Sequence, residues 1–143
     1  MTDPVEAARR YDEAFKAQNA EARVANLTPD VEAVLPGGLI LRGPEQVMQV
    51  VRSFWEALPD GKISSENEVA AGDTVVNEGT LSGTHTGPFR SPQGDIPASG
   101  NRVALRYVSV KRIRDGKVAQ EHLYFDQLEF LQQIGAQPSA EGR

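Results

Sequence analysis

The stretch that decides the fold is RDGKVAQEHLYFDQLEFLQQIG, residues 114–135. Within it, Asp115-Gly116 stands between two alternating apolar runs and predicts a hairpin turn, because a type I′ turn needs positive φ at both central residues. The strand that follows, residues 117–126, places an imidazole, a phenol and a carboxylate on one face, those of His122, Tyr124 and Asp126. The opposite face carries Glu121, Leu123 and Phe125. A row of titratable groups is typical of a polar surface patch or of a cavity lining, and the pattern leaves both open.

The end of this stretch predicts a short helix. After Asp126 the apolar residues follow helical spacing through Leu128, Leu131 and Ile134, and Gly135 supplies the expected stop. Asp126 directly precedes the helix, where aspartate is a favoured N-cap. A capping role and a chemical role are therefore both open for this carboxylate.

The first 60 residues predict three helices. Asp3-Pro4-Val5-Glu6 is a typical helix start, and that helix is expected to run to about Gln18. Asn19 is the expected cap of a second, short helix that Thr28-Pro29-Asp30 ends. A third helix is expected between Gly43-Pro44 and Pro59-Asp60-Gly61.

Strands dominate the rest of the chain. Alternating or short apolar runs predict strands at 31–35, 39–41, 63–71, 74–85 and 101–114, with a loop at 86–100. Helices followed by a meander of long strands are typical of an α+β fold. We expect one domain over residues 1–136 and a flexible tail at 137–143.

Composition narrows the function classes. The 143 residues carry a net charge of −5 with no basic stripe, which argues against nucleic acid or an anionic membrane as a partner. There is no apolar run near the ~20 residues of a membrane span and no N-terminal signal pattern. The absence of cysteine excludes disulfides and thiolate nucleophiles, and two histidines without ligand spacing do not predict a zinc site. We expect a cytoplasmic protein with no metal or cofactor.

Two motifs resemble the SnoaL-like polyketide cyclase family of the nuclear transport factor two-like superfamily. The first comprises DGK at 115–117, Glu121, Tyr124-Phe125, Asp126 and QQIG at 132–135, and the second is GTHTGPF at 83–89. The resemblance spans most of residues 4–135. It implies a cone-shaped α+β fold in which three N-terminal helices pack on a curved, mainly antiparallel sheet. The outer face of such a sheet often pairs with a second copy, so a homodimer is expected.

The resemblance also implies a reaction. It implies a cofactor-independent cyclase or isomerase acting on a small hydrophobic carbonyl compound, with Asp126 as general base. A carboxylate under an apolar roof would be desolvated and more basic, which suits that role. The alternative is a non-catalytic binding or dimeric accessory protein with the same pocket, because one fold hosts many functions.

Further candidate site residues come from the strands and helices. His85 and His122 are candidate acid or orienting groups, although a lone histidine is more often a structural hydrogen-bonding residue. Three polar residues on strands could line the pocket: Tyr124, Tyr107 and Asn77. Three aromatic residues on helices are expected in the core or in the pocket wall: Trp55, Phe15 and Tyr11.

Overall fold

The computed structural model describes residues 3–91 and 94–135. The tail expected at 137–143 lies outside the described residues. No helix in the described part of the chain is long and apolar enough to cross a membrane.

The helices begin where the sequence predicts. They are α1 (Pro4–Lys16), α2 (Ala20–Ala25), α3 (Gly43–Ala57) and α4 (Gln127–Gln133). The Asp3 carboxylate accepts the Val5 N–H at 2.9 Å at the start of α1. The Asn19 side chain accepts the Ala22 N–H at 3.0 Å at the start of α2. Each cap satisfies a backbone N–H that has no partner within its helix.

The strands form one large sheet and one small hairpin. They are β1 (Leu27–Leu35), β2 (Leu39–Arg42), β3 (Lys62–Ala71), β4 (Thr74–Thr84), β5 (Phe89–Ser91), β6 (Gly94–Ile96), β7 (Arg102–Arg114) and β8 (Lys117–Phe125). The six-stranded sheet has the order β2-β1-β8-β7-β4-β3. Only β1 and β8 pair in parallel among these neighbours, so the sheet is mainly antiparallel. The expected α+β class is confirmed.

The loop predicted at 86–100 is wrong in part, because β5 and β6 pair within it. Phe89 lies opposite Ile96, and both side chains pack against an apolar cluster that includes Leu105 and Phe130. This apolar contact stabilises a strand pair in a segment whose glycines and prolines predict only a loop.

A bulge in β8 determines which residues face the helices. Arg112 pairs with Gln120, but the next residue, Ile113, pairs with Val118, so Ala119 is an extra residue in β8. Val118 is fully buried, and simple alternation from it would turn the even-numbered residues inward. Because the bulge adds one residue, the odd-numbered residues 121, 123 and 125 face inward instead.

Candidate functional site

A cavity of about 100 Å³ lies between the helices and the inner face of the sheet. Most of its wall is apolar and comes from α1, α3 and all six strands of the large sheet: Phe15, Ala33, Leu35, Leu41, Val47, Val50, Val51, Phe54, Ile63, Leu81, Leu105, Leu123 and Phe125. The rest of the wall consists of polar residues: Tyr11, Asp12, Arg23, Tyr107, Ser109, Lys111 and Glu121. An apolar pocket with a few convergent polar groups is the usual form of a small-molecule site.

Lys111 lies at the centre of the polar wall. Its side chain is only 1% exposed, and its Nζ donates a hydrogen bond to the Ser109 Oγ at 2.7 Å. The same Nζ lies 3.5 Å from Asp12 Oδ1 and 3.7 Å from Glu121 Oε2. A buried ammonium requires such partners, since an unpaired charge is very costly in an apolar interior.

Glu121 is the more strongly stabilised of the two carboxylates. The Ser109 hydroxyl donates to Glu121 Oε2 at 2.9 Å, and the Tyr11 hydroxyl lies 3.5 Å from Oε1. Burial acts to raise the pKa of Glu121, but the charges of Lys111 and Arg23 and these two contacts outweigh it. The pKa of Glu121 is therefore held below its ordinary value of 4.5, and Glu121 is the ionised counter-ion of Lys111.

Asp12 shares the same ammonium but is shifted in the opposite direction. Its side chain is 18% exposed, and burial raises its pKa above the ordinary 3.8. The attraction of Lys111 and Arg23 opposes this rise only in part, and the charge of Glu121 adds to it. Asp12 is closer to Lys111 than Glu121 is, but Glu121 has the Ser109 and Tyr11 hydroxyls in addition. Asp12 is thus the more basic carboxylate of the cavity.

Arg23 holds the Tyr11 side chain in place. Its guanidinium carbon lies 3.3 Å from the centroid of the Tyr11 ring, and its Nη1 donates to the Tyr11 carbonyl oxygen at 2.8 Å. This geometry combines a cation–π contact with a hydrogen bond. Burial raises the pKa of Tyr11, so its phenol remains a neutral donor at physiological pH.

Similarity to known proteins identifies the family of this chain. A model of the SnoaL-like polyketide cyclase family matches residues 5–134. The chain belongs to the SnoaL-like polyketide cyclase family. No curated protein matches it.

Solved structures of SnoaL-like proteins share the fold. A proposed SnoaL-like polyketide cyclase from Jannaschia sp. CCS1 is 26% identical, with a TM-score of 0.83 over 94% of this chain and 93% of that one. IdmH, a proposed polyketide cyclase from Streptomyces antibioticus, is 23% identical, with a TM-score of 0.78 over 93% and 99% of the two chains. TerC, co-crystallised with polyporic acid, is 24% identical, with a TM-score of 0.73 over 92% and 98%. The predicted family and its curved α+β fold are confirmed.

Asp126, the base implied by the SnoaL-like resemblance, lies outside the cavity lining. Its side chain is exposed, and its carboxylate accepts the Glu129 N–H at 3.0 Å, which makes it the N-cap of α4. His122 and Tyr124, on the outer face of β8, also lie outside the lining, with Tyr124 56% exposed. The placement of these three residues in a cavity is wrong, because the bulge at Ala119 turns the other face of β8 inward.

His85 is buried but does not reach the cavity. Its Nδ1 lies 2.8 Å from the Ser99 Oγ and accepts the Ser99 N–H at 3.2 Å. Burial lowers the pKa of His85, which favours the neutral imidazole. Its backbone also bonds Gly100 and Asn101, so His85 fastens the end of the segment that carries β5 and β6. The expectation that His85 is an acid or orienting group of the pocket is wrong, since it is absent from the cavity lining.

The other predicted pocket residues divide into two groups. Tyr11, Phe15 and Tyr107 line the cavity. Trp55 and Asn77 do not. The pocket placement of Asn77 is wrong, whereas Trp55 packs against the core, one of the two places expected for it. Trp55 packs behind Phe15, with ring centroids 5.8 Å apart, because α3 turns it toward α1. Asn77 donates to the Ser65 Oγ at 2.9 Å and to Glu68 Oε2 at 3.1 Å, which ties β4 to β3.

The sequence interpretation did not name most of the polar groups in the cavity as site residues: Asp12, Arg23, Ser109, Lys111 and Glu121. The alternation in β7 contains a signal for two of them, since Val103, Leu105 and Tyr107 lead in steps of two to Ser109 and Lys111. Lysine at an inward position of an apolar strand predicts a buried pair. Arg23 offers no such signal, because it reaches the site from a separate short helix. Within the described residues, no group of three or more carboxylate or imidazole side chains is arranged to hold a metal ion.

Proposed function

We propose that this protein is a cofactor-independent cyclase or isomerase for a small hydrophobic carbonyl compound, and that Asp12 is its general base. The observation that carries the proposal is the Asp12 carboxylate, which borders an apolar cavity and whose pKa is raised by burial. A base is most effective when its pKa approaches the working pH, and burial moves Asp12 in that direction. Asp126 does not fit the role because its carboxylate lies outside the cavity.

The proposed step is proton abstraction beside a carbonyl group. Asp12 takes the proton from the carbon next to the carbonyl, and the electron pair left behind forms an enolate. In an isomerase, Asp12 returns the proton to another carbon. In a cyclase, the enolate carbon attacks a second carbonyl of the same molecule, and the new alkoxide takes the proton. Neither route changes the oxidation level or requires a co-reactant.

The neighbouring charges suit such a step. The Lys111 ammonium lies 3.5 Å from Asp12 and can stabilise the negative charge that develops on the substrate. Glu121 keeps this ammonium paired before the substrate enters. The two carboxylates and the two cations of the cavity wall balance, so an uncharged substrate with an apolar body fits best. The TerC structure with polyporic acid supports small-molecule binding by this fold.

The test is hydrogen exchange on a simple ketone. Cyclohexanone in D₂O loses its α-proton NMR signal when a base catalyses exchange, so the assay needs no knowledge of the natural substrate. Asp12→Asn should reduce the protein-catalysed rate by about 10²–10⁴-fold, the usual contribution of a general base. Asp126→Asn is the matched control, since asparagine can still cap α4, and should exchange at the wild-type rate. Equal rates for Asp12→Asn and wild type would refute the assignment, and binding without exchange would favour the non-catalytic alternative.

We also propose that two copies pair through the outer face of the sheet. One row of paired positions crosses all six strands on that face: Ile40, Val34, His122, Val110, Val76 and Val69. Five of these six residues are apolar, and the two at the ends of the row, Ile40 and Val69, are 45% and 64% exposed. An exposed apolar stretch of this kind is typical of an interaction surface. Sedimentation should show a dimer that Val110→Glu converts to a monomer. A wild-type monomer would overturn this pairing.

A further inference from the structure

We propose that Tyr107 is a catalytic residue that donates a hydrogen bond to the carbonyl oxygen of the substrate, and that Gly79 sets the position of its phenol. The inference rests on the proposed function, since it names the group that stabilises the negative charge that forms on the substrate oxygen when Asp12 removes the proton. Three observations carry it: the slot that Gly79 leaves for the ring, the free hydroxyl, and the charges around it.

Gly79 leaves space that the Tyr107 ring occupies. The two residues are directly paired across β4 and β7, and both point inward. A Cβ added at Gly79 would lie 2.7 Å from the Tyr107 hydroxyl oxygen and 2.9 Å from its Cζ. It would also lie 2.3 Å from the Ser64 carbonyl oxygen. Atoms do not approach this closely, so any other residue would displace the phenol or the neighbouring strand.

The conformation of Gly79 does not explain the glycine. Gly79 is absent from the residues with positive φ, so its backbone is one that any residue can adopt. Glycine inside a strand costs stability, because it loses more backbone freedom on folding and packs no side chain. Close approach of both the Ser64 carbonyl oxygen and the Tyr107 ring is therefore the reason for glycine here.

The Tyr107 hydroxyl is available to a ligand. The other phenol of the cavity, Tyr11, already lies 3.5 Å from Glu121. Within residues 3–91 and 94–135, by contrast, the Tyr107 hydroxyl makes no side-chain hydrogen bond, and its ring lines the cavity. It is not one of the fully enclosed polar atoms that lack a partner, so the hydroxyl is open to a ligand. A substrate oxygen in the cavity can therefore accept its hydrogen bond.

The surrounding charges keep Tyr107 in the donor form. Burial raises the pKa of Tyr107, and the negative charges of Asp12 and Glu121 raise it further. The phenol therefore stays protonated at every pH at which Asp12 can act as a base. Base and donor both line the same cavity. A donor aimed at an oxygen that gains negative charge is typically worth about 10²–10³-fold in rate.

The experiment uses 4-nitrophenol as a mimic of the enolate, because its anion carries negative charge on an oxygen bound to a flat ring. Binding is followed by the absorbance change between phenol and phenolate. Tyr107→Phe should weaken binding by about 10–100-fold, the range expected for one hydrogen bond to a charged group. It should also lower kcat for ketone exchange with little change in KM, since the bond strengthens as charge develops.

Two further variants test whether the position of the Tyr107 phenol matters and whether the effect is specific to this phenol. Gly79→Ala retains the phenol but should weaken 4-nitrophenol binding at least tenfold, because the added carbon displaces it. Tyr124→Phe removes a phenol from the outer face of β8 and should leave the Kd within twofold of wild type. Thermal unfolding shows whether Gly79→Ala folds, and Tyr107→Phe decides the question if it does not.

The outcomes distinguish the inference from the proposed function. If wild type and Tyr107→Phe bind 4-nitrophenol equally, the role of Tyr107 is refuted, while the role of Asp12 stands as long as exchange still depends on Asp12. If Asp12→Asn exchanges cyclohexanone at the wild-type rate, the proposed function fails, whatever Tyr107 binds.

Discussion

The two faces of β8 differ more in environment than in the chemistry of their residues. The outer face carries His122 and Tyr124, whose side chains can donate hydrogen bonds, yet His122 is only half-buried and Tyr124 is exposed. The inner face carries Glu121, whose charge is paired with a buried ammonium 3.7 Å away. The comparison teaches that enclosure, opposing charge and hydrogen bonds give a group its chemistry, and that residue type alone is a poor guide.

One extra residue in β8, Ala119, determines which side chains face inward and which face outward. Val118 and Glu121 both point inward although three positions separate them, because Ala119 is accommodated as a bulge. Side chains in a regular strand alternate with a period of two, so a shift of one residue exchanges the faces. The predictions below test this exchange and the environments that it creates.

The largest expected effect is a difference in folding between two single-residue deletions in β8. Deleting Ala119 removes only the bulge and keeps the pairs Arg112–Gln120 and Ile113–Val118, so both faces survive and the protein should fold. Deleting Leu123 shifts one part of β8 by one residue relative to the other. Either Phe125 then faces outward or His122 faces inward, so cooperative folding should be lost. Thermal unfolding by circular dichroism compares the two. Loss of folding in the Ala119 deletion, with folding retained in the Leu123 deletion, would contradict the role of the bulge.

A smaller effect should separate the two carboxylates that share Lys111. Glu121 has a lowered pKa in the folded state, so its charge contributes stability above its ordinary pKa of 4.5, and this contribution is lost as the pH falls below that value. Asp12 has a raised pKa, so folded-state stability decreases as pH rises from 3.8 through its folded value. At pH 7, Glu121→Gln should lower the free energy of unfolding by about 1–3 kcal/mol, the value of a hydrogen bond to a charged group.

Asp12→Asn is the matched variant and should leave stability at pH 7 equal to or above that of the wild type. Urea unfolding at pH 4 and pH 7 measures both variants, and the gap between wild type and Glu121→Gln should narrow at the lower pH. Destabilisation of both variants by the same amount would show that the two carboxylates are equivalent partners of Lys111.

The smallest effect should come from Asp126. Asp126→Ala removes the N-cap of α4 and should cost about 1 kcal/mol of stability. Ketone exchange should not change, because the residue lies outside the cavity. Asp126→Asn restores the cap and should recover most of the lost stability. A large loss of ketone exchange in both variants, with stability retained, would show that Asp126 is the general base.

Local signals in the sequence were sufficient for the fold. The caps at Asp3 and Asn19, the Asp115-Gly116 turn and the alternation of β4 and β7 each act over a few residues, and all are found in the structure. The site required longer-range information. Its charged groups come from α1, α2, β7 and β8, and local spacing does not show which of them meet. The bulge also interrupts the alternation of side chains in β8, the strand that carries Glu121 into the cavity.

The position of Trp55 has a practical consequence. It is the single tryptophan of the chain, and its ring packs on Phe15, which lines the cavity on its other side. A molecule that enters and contacts Phe15 changes the surroundings of the indole one ring away. Intrinsic fluorescence should therefore report occupancy of the cavity without a label, so that a library of compounds can be screened by emission before any reaction is known.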